Sequence, residues 1–569
     1  MAIIGIDLGT TNSLATVWKD GKIQMIPNAF GEYLTPSVVS ISEDGEVFVG
    51  KIAKEMLINR PKQTFREFKR NMGTDHVYQV GKKKYRAEEL SAFVLRRIKE
   101  DAEKFLGEPV TEAIISVPAY FNDDKRCATK NAGILAGFTV ERMINEPSAV
   151  ALKHHVDTDE MEKFIIFDFG GGTLDVSLVD AFENMVEIQA VAGDNYLGGK
   201  DFNETIAEYF YRENHLTKNM FSPEEQAIVL KEAESLKIAL SEQNSASRKF
   251  LLQGNEYHME LTNQQLIHIS AELFKRMTKP IRKVMTDSGT GWEEIDKIIL
   301  VGGSSKMPIV AQYIRSICDA EVVTDDQPDE SIAIGVGIAA AIKMRSGEIK
   351  DMVLSDICPF SLGVDVVGDR FSPIIERNET LPCSHTKTYY TAENFQKTIA
   401  FHIYQGESMV ASENLLLETM TIEVPPKPRG EVSCNVSFLY DINGILDIRI
   451  SQDKQNYHKL IVNKNMKMSE SEIKERLKQL QDMTIHPSEL EQNRLLIEEA
   501  QRLYKECHPR YRRGIEYQYA LFQHAMEHGN ARELREAYVR FSLFLNSMEQ
   551  YKAEDDEEFD ESFWTEDEE

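Results

Sequence analysis

IFDFGGGTLD, at residues 166–175, and the similar IGIDLGTTNS, at residues 4–13, decide the fold. In each stretch, an apolar run typical of a buried strand enters an aspartate, then a glycine turn, then a threonine. Glycines after a strand let the backbone approach a ligand closely, and their amides then bind an anion such as phosphate. Asp7 and Asp168 lie at the strand ends, where carboxylates hold magnesium through its water shell. Two copies predict a pair of phosphate loops that close on one nucleotide from opposite sides.

The length, charge and cysteine spacing of the chain exclude several classes of protein. A chain of 569 residues is too long for one core and predicts several domains of about 100 to 200 residues. The net charge of −28 argues against a nucleic-acid binder. No stretch approaches the ~20 apolar residues that span a bilayer, and no signal peptide is visible, so we expect a cytoplasmic protein away from membranes. The six cysteines are scattered without CxxC spacing, as expected for reduced thiols.

The first 350 residues alternate strand and helix patterns, as an α/β architecture requires. KIILVGGSSKMP, at residues 297–308, is another apolar strand pattern followed by a pair of glycines. Residues 87–106 and 223–240 have helical patterns. Lys69 is either a solvated lysine or a group that neutralises phosphate. Glu146, in Asn-Glu-Pro, marks either a helix end or a carboxylate that polarises a water or holds metal.

The predicted secondary structure changes twice in the second half of the chain. From Cys358 to about Asn463, short alternating strands predict a separate antiparallel β domain, with a hairpin turn at residues 441–444. A capping box at Ser469-x-x-Glu472 then begins a helical region that continues to about Tyr551, which predicts a bundle of three or four helices. The acidic segment 554–569 is either solvated and disordered or docks on a basic partner.

These motifs resemble one family: the seventy-kilodalton heat-shock chaperones of the DnaK type. The resemblance rests on IGIDLGTTNS, VPAYFNDDKR, INEPSAVAL, IFDFGGGTLD, LGGKDF, ILVGGSSKMP and SLGVD, which occur in the family's order. It covers the chain up to Asn463 in residues, and the helical end in layout. Two short segments, between Lys69 and Glu88 and between Ser241 and Leu261, make the chain similar to the HscC subgroup, and this resemblance implies a bacterial protein.

The resemblance implies an actin-like, ribonuclease H-like duplicated α/β ATPase domain that binds ATP or ADP with Mg²⁺ between two lobes. Asp7 and Asp168 would flank the metal. Lys69 would reach the γ-phosphate, while Glu146, Asp168, Thr173 and Asp175 complete the catalytic set that positions water and charge. The phosphates would be held by Gly9, Thr10, Thr11, Asn12, Gly171, Gly172, Thr173 and Gly199. The adenosine would be held by Glu234, Lys237, Ser241, Gly302, Gly303, Ser304 and Lys306, with Asp329 near the ribose.

Three residues depart from the family's pattern. Lys306 stands where the family usually has an arginine stacked on adenine, and lysine lacks the planar guanidinium. Ile238 offers only an apolar surface on the other side of the base. Lys200 stands in LGGKDF where the family commonly has an acid. We therefore expect weak nucleotide retention and quick exchange.

For the second half, the resemblance implies a peptide-binding β-sandwich under a helical lid. An extended apolar peptide would be bound through backbone hydrogen bonds and side-chain pockets. The groove would be lined by Val364, Val367, Tyr389, Ala392, Ile399 and Phe401, although each is also a plausible core residue of a sandwich. Nucleotide state would be relayed through Pro118, Arg126 and Asp356, and a J-domain co-chaperone would bind near Arg142 and Asn145.

These inferences divide the chain into an ATPase domain at 1–350, a linker at 351–357, a sandwich at 358–466, a lid at 467–552 and an acidic disordered tail at 553–569. The function predicted is an ATP-dependent chaperone for unfolded clients. The short 241–261 segment argues against a GrpE-type exchange factor. Two alternatives are an actin-fold small-molecule kinase, such as a sugar kinase, and a filament-forming ATPase; neither gives the β domain a role.

Overall fold

The computed structural model describes residues 2–156, 161–344, 352–441, 445–453, 455–461, 476–478, 488–507, 509–528 and 531–551. Most of the predicted hairpin turn at 441–444, the capping box at Ser469 and the acidic segment lie outside these residues. No helix in the described ranges is long and apolar enough to cross a membrane.

The first large sheet is built from the N-terminal 150 residues. Its order is β11-β10-β1-β2-β3, with β4 on β2, and smaller sheets flank it. The strands of this part of the chain are β1 (Ile3–Asp7), β2 (Asn12–Lys19), β3 (Lys22–Met25), β4 (Thr35–Pro36), β5 (Val38–Ile41), β6 (Val47–Val49), β7 (Thr64–Arg66), β8 (Tyr78–Val80), β9 (Lys83–Tyr85), β10 (Glu112–Val117) and β11 (Met143–Asn145).

The second large sheet has the order β18-β17-β12-β13-β14-β19. Its strands, with the hairpin β15-β16, are β12 (Glu162–Phe169), β13 (Leu174–Phe182), β14 (Met185–Asp194), β15 (Ser245–Leu252), β16 (Asn255–Thr262), β17 (Lys297–Val301), β18 (Glu321–Thr324) and β19 (Val353–Ser355). In both sheets a first strand pairs antiparallel with the next strand along the chain and parallel with a later one: β1 with β2 and β10, and β12 with β13 and β17. The two quoted stretches therefore occupy equivalent places in a repeated topology.

Ten helices described in the first 344 residues cover and connect these sheets. They are α1 (Lys51–Asn59), α2 (Ala87–Leu106), α3 (Asp123–Leu135), α4 (Glu146–His155), α5 (Gly199–Glu213), α6 (Pro223–Ala239), α7 (Asn263–Ile269), α8 (Ala271–Ser288), α9 (Pro308–Ile317) and α10 (Ser331–Lys343). The predicted bounds of α2 are confirmed: Leu90, Val94 and Ile98 are buried, and the helix stops at Gly107, whose φ is 73°.

Two details show how sequence determines packing here. A Cβ on Gly5 of β1 would lie 2.6 Å from the backbone nitrogen of Gly337 in α10, so these elements approach too closely for a side chain. Asn145 is the N-cap residue of α4, and Pro147 lies in its first turn. The Asn-Glu-Pro sequence therefore begins a helix, and the interpretation of it as a helix end was wrong.

Two four-stranded antiparallel sheets follow, with orders β21-β20-β23-β24 and β22-β25-β26-β27. One buried cluster, including Val364, Ile403, Val436, Phe438 and Ile448, joins them. The strands are β20 (Leu362–Val366), β21 (Arg370–Ile375), β22 (Cys383–Tyr390), β23 (Thr398–Gln405), β24 (Leu415–Glu423), β25 (Ser433–Tyr440), β26 (Leu446–Gln452) and β27 (Gln455–Ile461).

Three helices close the described chain: α11 (Ser488–Glu506), α12 (Pro509–His528) and α13 (Ala531–Tyr551). Leu503, Phe522 and Phe541 are among the residues of their common core. Leu495 of α11 joins a second cluster with Ile52 of α1, so the helices pack on the first part of the chain. Together these elements make a multidomain α/β protein.

Candidate functional site

A cavity of about 540 Å³ opens between the two large sheets, within the size range of ligand sites. It collects residues from equivalent loops of both sheets. The sequence-predicted residues that line it are Asp7, Gly9, Thr10, Thr11, Asn12, Lys69, Glu146, Asp168, Gly171, Thr173, Gly199, Glu234, Lys237, Ser241, Gly302, Gly303, Ser304, Lys306 and Asp329. Gly172 and Asp175 belong to the same loop region but are not among the lining residues.

The two glycine loops meet directly across this cleft. A Cβ on Gly171 would lie 1.8 Å from Oγ1 of Thr11, and one on Gly172 would lie 2.5 Å from Cγ2 of Thr10. Any side chain at either glycine would push the loops apart. The hydroxyl of Ser37 donates to the carbonyl of Gly9 at 2.8 Å and supports the first loop from behind. Glycine is therefore required by the approach of one loop to the other.

Charged groups are concentrated at the base of the cleft. The Lys69 ammonium donates to Oε1 of Glu146 at 2.8 Å, and both side chains are buried. Ser116 donates to Oδ1 of Asp7 at 2.6 Å, and the backbone N–H of Tyr120 points at Oδ1 of Asp175 at 3.4 Å. With Asp168, four carboxylates therefore interact with the buried ammonium of Lys69.

The excess of negative charge shifts the pKa values of this cluster. Burial, followed by repulsion from Glu146, raises the pKa of Asp7 to about 6 and that of Asp175 to about 7. The same two causes raise the pKa of Asp168 well above its ordinary value. Burial alone would lower the pKa of Lys69, but Glu146, Asp7 and Asp175 raise it overall, so this lysine stays charged. A divalent cation would relieve the repulsion between the carboxylates.

No group of three or more His, Cys, Asp or Glu side chains within the described residues can hold a metal ion. Asp7 and Asp168, at the ends of β1 and β12, are nevertheless hard oxygen donors beside a phosphate loop. Mg²⁺ keeps several waters and uses one or two carboxylates together with substrate phosphates. The donor set therefore fits Mg²⁺ held through water.

Arg70 is a site residue that the sequence analysis did not identify. Its Nε donates to the carbonyl of Gly172 at 2.9 Å, and its NH2 group donates to Asp201 at 2.9 Å. Arg70 thus ties the short helical turn that contains Lys69 to the second glycine loop and to α5. Its adjacency to Lys69 in FREFKR and the aspartate of LGGKDF were the signals available in the sequence.

The other end of the cleft is formed by α6 and the loop after β17. Lys237 donates to the carbonyl of Gly199 at 3.1 Å, and Ser304 donates to that of Gly170 at 2.8 Å. Lys306 forms an ion pair with Asp329. Ile238 is 57% exposed, so its apolar side chain is open to a flat ligand that enters here.

Polar contacts connect the cleft to β19. Arg126 donates to Oδ1 of Asn145 at 2.6 Å, and Asn145 donates to Oδ2 of Asp356 at 2.6 Å. Ser148 also donates to Asp356 at 3.1 Å. Glu146, which pairs with Lys69, is the next residue after Asn145. Burial lowers the pKa of Arg142, and the carboxylate of Asp356 opposes this shift. Pro118 follows β10, and its carbonyl accepts from the N–H of Phe121 at 3.1 Å.

The sandwich contacts the first part of the chain through buried groups. Gln405 accepts from the N–H of Asp123 at 3.0 Å, and the hydroxyl of Tyr440 donates to Oδ1 of Asp123 at 3.1 Å. Arg377 pairs with Asp287 at 2.5 Å. These partners come from β23, β25 and the segment after β21, so the sandwich is attached through both of its sheets.

The six residues predicted to line a peptide groove are not equivalent in this structure. Val364 and Phe401 are fully buried in the sandwich core, and Tyr389 and Ile399 pack against that core. Val367 is 66% exposed at the β20–β21 turn. Ala392 is half-buried in the loop after β22. The structure thus brings four of them together and places the other two on separate loops.

The helices α11–α13 lie against α1 and α2, held by ion pairs. Arg97 of α2 pairs with Glu491 at 2.7 Å, with both side chains buried. Arg502 contacts Glu55 of α1 as well as Glu506 and Glu549. Lys231 of α6 contacts Glu506 at 3.0 Å. The bundle therefore touches helices from both sides of the cleft.

Comparison with known protein families gives one result that covers nearly the whole chain. The family model described as Hsp70 protein matches residues 3–82 and 75–558. Members of this family are ATPases that bind nucleotide, typically with Mg²⁺, and act as chaperones for unfolded clients with J-domain partners. The match gives no support to a small-molecule kinase. The length of the match and the paired glycine loops lead to one conclusion: the chain belongs to the Hsp70 family.

Proposed function

We propose that this chain is an ATP-driven chaperone that binds and releases extended apolar segments of unfolded proteins. The observation that carries the proposal is the continuous path from the Lys69–Glu146 pair, through Asn145, to Asp356 beside β19. That path joins the base of the cleft to the segment that enters the sandwich. A ligand that binds one arrangement of this path better than another would couple the two sites.

In the proposed reaction, the two glycine loops hold the phosphates of ATP and the cluster beneath them carries the chemistry. Lys69 neutralises charge on the γ-phosphate, and Glu146, Thr173 and Asp175 orient the attacking water. Mg²⁺, held through water by Asp7 and Asp168, would supply further charge neutralisation on the phosphates. Because phosphoryl transfer needs mainly positioning and charge neutralisation, this set is sufficient without a strong base.

We further propose the layout expected from the sequence: an actin-like ATPase domain at 1–350, a linker at 351–357, a peptide-binding sandwich at 358–466 and a lid at 467–552. The repeated topology of the two large sheets supports the first assignment. The pairing of Val353–Ser355 with β14 supports the second, since a linker that joins the sheet can report its state. The two short segments favour the HscC subgroup within the family.

This arrangement of the helices and the sandwich supports the proposal that the peptide-binding groove is open in this structure. The bundle packs on α1 and α2 through Leu495 and Glu491, while the sandwich is held at Asp123 by Gln405 and Tyr440. In the proposed cycle, ATP favours this docked arrangement. Hydrolysis releases both contacts, so that Val367 and Ala392 on their two loops can close over a peptide.

One assay separates this proposal from a kinase. We expect an unfolded apolar peptide to accelerate single-turnover ATP hydrolysis, while no phosphate passes to a sugar. The variant Thr173→Ala should lose hydrolysis, because the hydroxyl lies in the phosphate loop. Thr205→Ala, in the middle of α5 and outside the lining of the cleft, is the matched control. Phosphate transfer to a sugar, or unimpaired hydrolysis by Thr173→Ala, would contradict the proposed site.

A further inference from the structure

A second cavity of about 300 Å³ adjoins the main cleft. We call it the side pocket. It shares Lys54, Leu57, Arg66 and Glu234 with the cleft and lies where α1, α6 and α11 meet. Its apolar lining consists of Leu57, Ile58, Pro61, Pro223, Ala227 and Leu230. At this volume the side pocket is at the lower end of the range for ligand sites.

Five cations surround this apolar floor: Lys54, Arg66, Lys218, Lys231 and Arg502, against only Glu55 and Glu234 among the lining acids. Arg502 and Lys231 are already engaged by acids of α11 and α13. Lys54 and Lys218 are exposed and form no ion pair with any residue that the structure describes. The side pocket therefore offers an apolar surface with unneutralised positive charge at its edge.

The same chain carries a segment of complementary chemistry. Residues 553–569, AEDDEEFDESFWTEDEE, contain eleven acidic side chains and three aromatic ones, Phe559, Phe563 and Trp564. Aromatic side chains flanked by carboxylates match an apolar floor with a basic rim. Such a segment fits the side pocket better than it fits the protein's surface at large, because the rest of the chain still carries a net charge of −17.

The last described helix ends beside the side pocket. Helix α13 runs to Tyr551, and Glu549, in its last turn, contacts both Arg502 and Lys231 on the rim of the side pocket. From Tyr551 to Phe563 an extended chain reaches up to about 40 Å, far more than is needed to return to an adjacent pocket. The segment thus starts beside its candidate site, which gives it a high effective concentration there.

We propose that residues 553–569 dock into the side pocket of their own chain. The aromatic side chains occupy the floor formed by Leu57 and Leu230, and the carboxylates pair with Lys54 and Lys218. In this position the segment bridges α1, α6 and α11. It therefore holds the helical bundle on α1.

Zero-length crosslinking of the full chain tests the docking without any added ligand. A carbodiimide joins only lysines and carboxylates in direct contact, and mass spectrometry identifies the joined pairs. We expect links from Lys54 and Lys218 to acids between Glu554 and Glu561. A mixture of ¹⁴N and ¹⁵N chains distinguishes links within one chain from links between chains. Links that form mainly between chains, or that join the acidic segment equally to remote lysines such as Lys82, would overturn the proposal.

Tryptophan quenching gives an independent measurement. Subtracting the emission of Trp564→Phe from that of the full chain isolates Trp564, and we expect acrylamide to quench it at least about threefold less than in the free 553–569 peptide, because a docked ring is shielded from solvent. The double variant Lys54→Glu/Lys218→Glu should raise quenching to the level of the peptide, while Lys82→Glu, an exposed lysine of the β8–β9 turn, should not. Quenching equal to that of the free peptide in the unsubstituted chain, or unchanged by the double variant, would refute the docking.

Discussion

The ammonium of Lys69 lies 2.8 Å from Oε1 of Glu146, and both side chains are buried at the base of the cleft. We expect Lys69→Met to lower the single-turnover rate of ATP hydrolysis by about 10² to 10³-fold, because charge that develops on the γ-phosphate loses its buried cation. Affinity for ADP, which lacks that phosphate, should change far less. Rapid-quench assays and ADP titration measure the two effects.

The control for this prediction is Lys62→Met, which removes an exposed lysine between α1 and β7. Glu146 would be left buried without its partner in Lys69→Met, so thermal unfolding is measured on both variants to separate loss of fold from loss of chemistry. Hydrolysis at the unsubstituted rate by a folded Lys69→Met protein would show that the lysine has no role in the reaction.

Asp356 accepts hydrogen bonds from Asn145 and Ser148, and this carboxylate lies on the proposed path from the cleft to the sandwich. We expect Asp356→Ala to retain basal ATP hydrolysis and to lose its acceleration by peptide, by about 5-fold or more, the lower range of measured couplings. Steady-state ATPase assays with and without peptide show this. Glu376→Gln, an exposed acid of the sandwich, should keep the acceleration; equal loss in both variants would contradict the assigned path.

The attachment of the helical bundle to α1 should depend on pH. Burial, then repulsion from Glu55, raises the pKa of Glu499 to about 7; Glu549 adds to this, while Arg502 and Lys51 oppose it. When the bundle is undocked, the ordinary pKa of 4.5 applies. Between these two values the docked state binds a proton that the undocked state has lost, so docking weakens as pH rises from about 4.5 to about 7 and then stays constant.

Distances between spin labels at Lys62 and Arg535, measured from pH 5 to pH 8, report this equilibrium. Each pH unit inside the window shifts it by up to about tenfold. Glu499→Gln should flatten the dependence and favour docking at pH 8, whereas Glu527→Gln, an exposed acid of α12, should leave it intact. Docking of the bundle that becomes stronger as the pH rises would contradict this prediction.

Lys306 forms an ion pair with Asp329 at the mouth of the cleft, opposite the exposed side chain of Ile238. We expect Lys306→Arg to slow the release of ADP by about 2- to 5-fold, because a guanidinium stacks on an aromatic base with about 0.5 to 1 kcal/mol of added attraction. Stopped-flow release of labelled ADP measures the rate. Lys82→Arg is the control, and faster release from Lys306→Arg would contradict the expected stacking.

Local sequence patterns predicted much of the fold. The apolar runs that enter Asp7 and Asp168 identified two equivalent strands, because strand, carboxylate and glycine occur in the same order in both. The bounds of α2 followed from the spacing of Leu90, Val94 and Ile98. These features depend on neighbours within a few residues, which the sequence displays directly.

Contacts between distant elements could not be predicted in the same way. The pairing of Val353–Ser355 with β14 joins residues that are far apart in sequence, and a three-residue apolar run does not identify its partner. The bond of Tyr440 to Asp123 depends on how the sandwich docks. Arg70 was missed because its two signals, the neighbouring Lys69 and the distant aspartate of LGGKDF, do not by themselves distinguish a bridging arginine from a solvated one.

The most direct test of the proposed cycle measures how nucleotide changes the release of peptide. A fluorescent extended apolar peptide is bound in the presence of ADP, and ATP or fresh ADP is then added with excess unlabelled peptide. We predict that ATP accelerates the release at least about tenfold, since the two sites are coupled through Asn145 and Asp356. Release at the same rate with ATP and ADP, in a protein that hydrolyses ATP, would contradict the account.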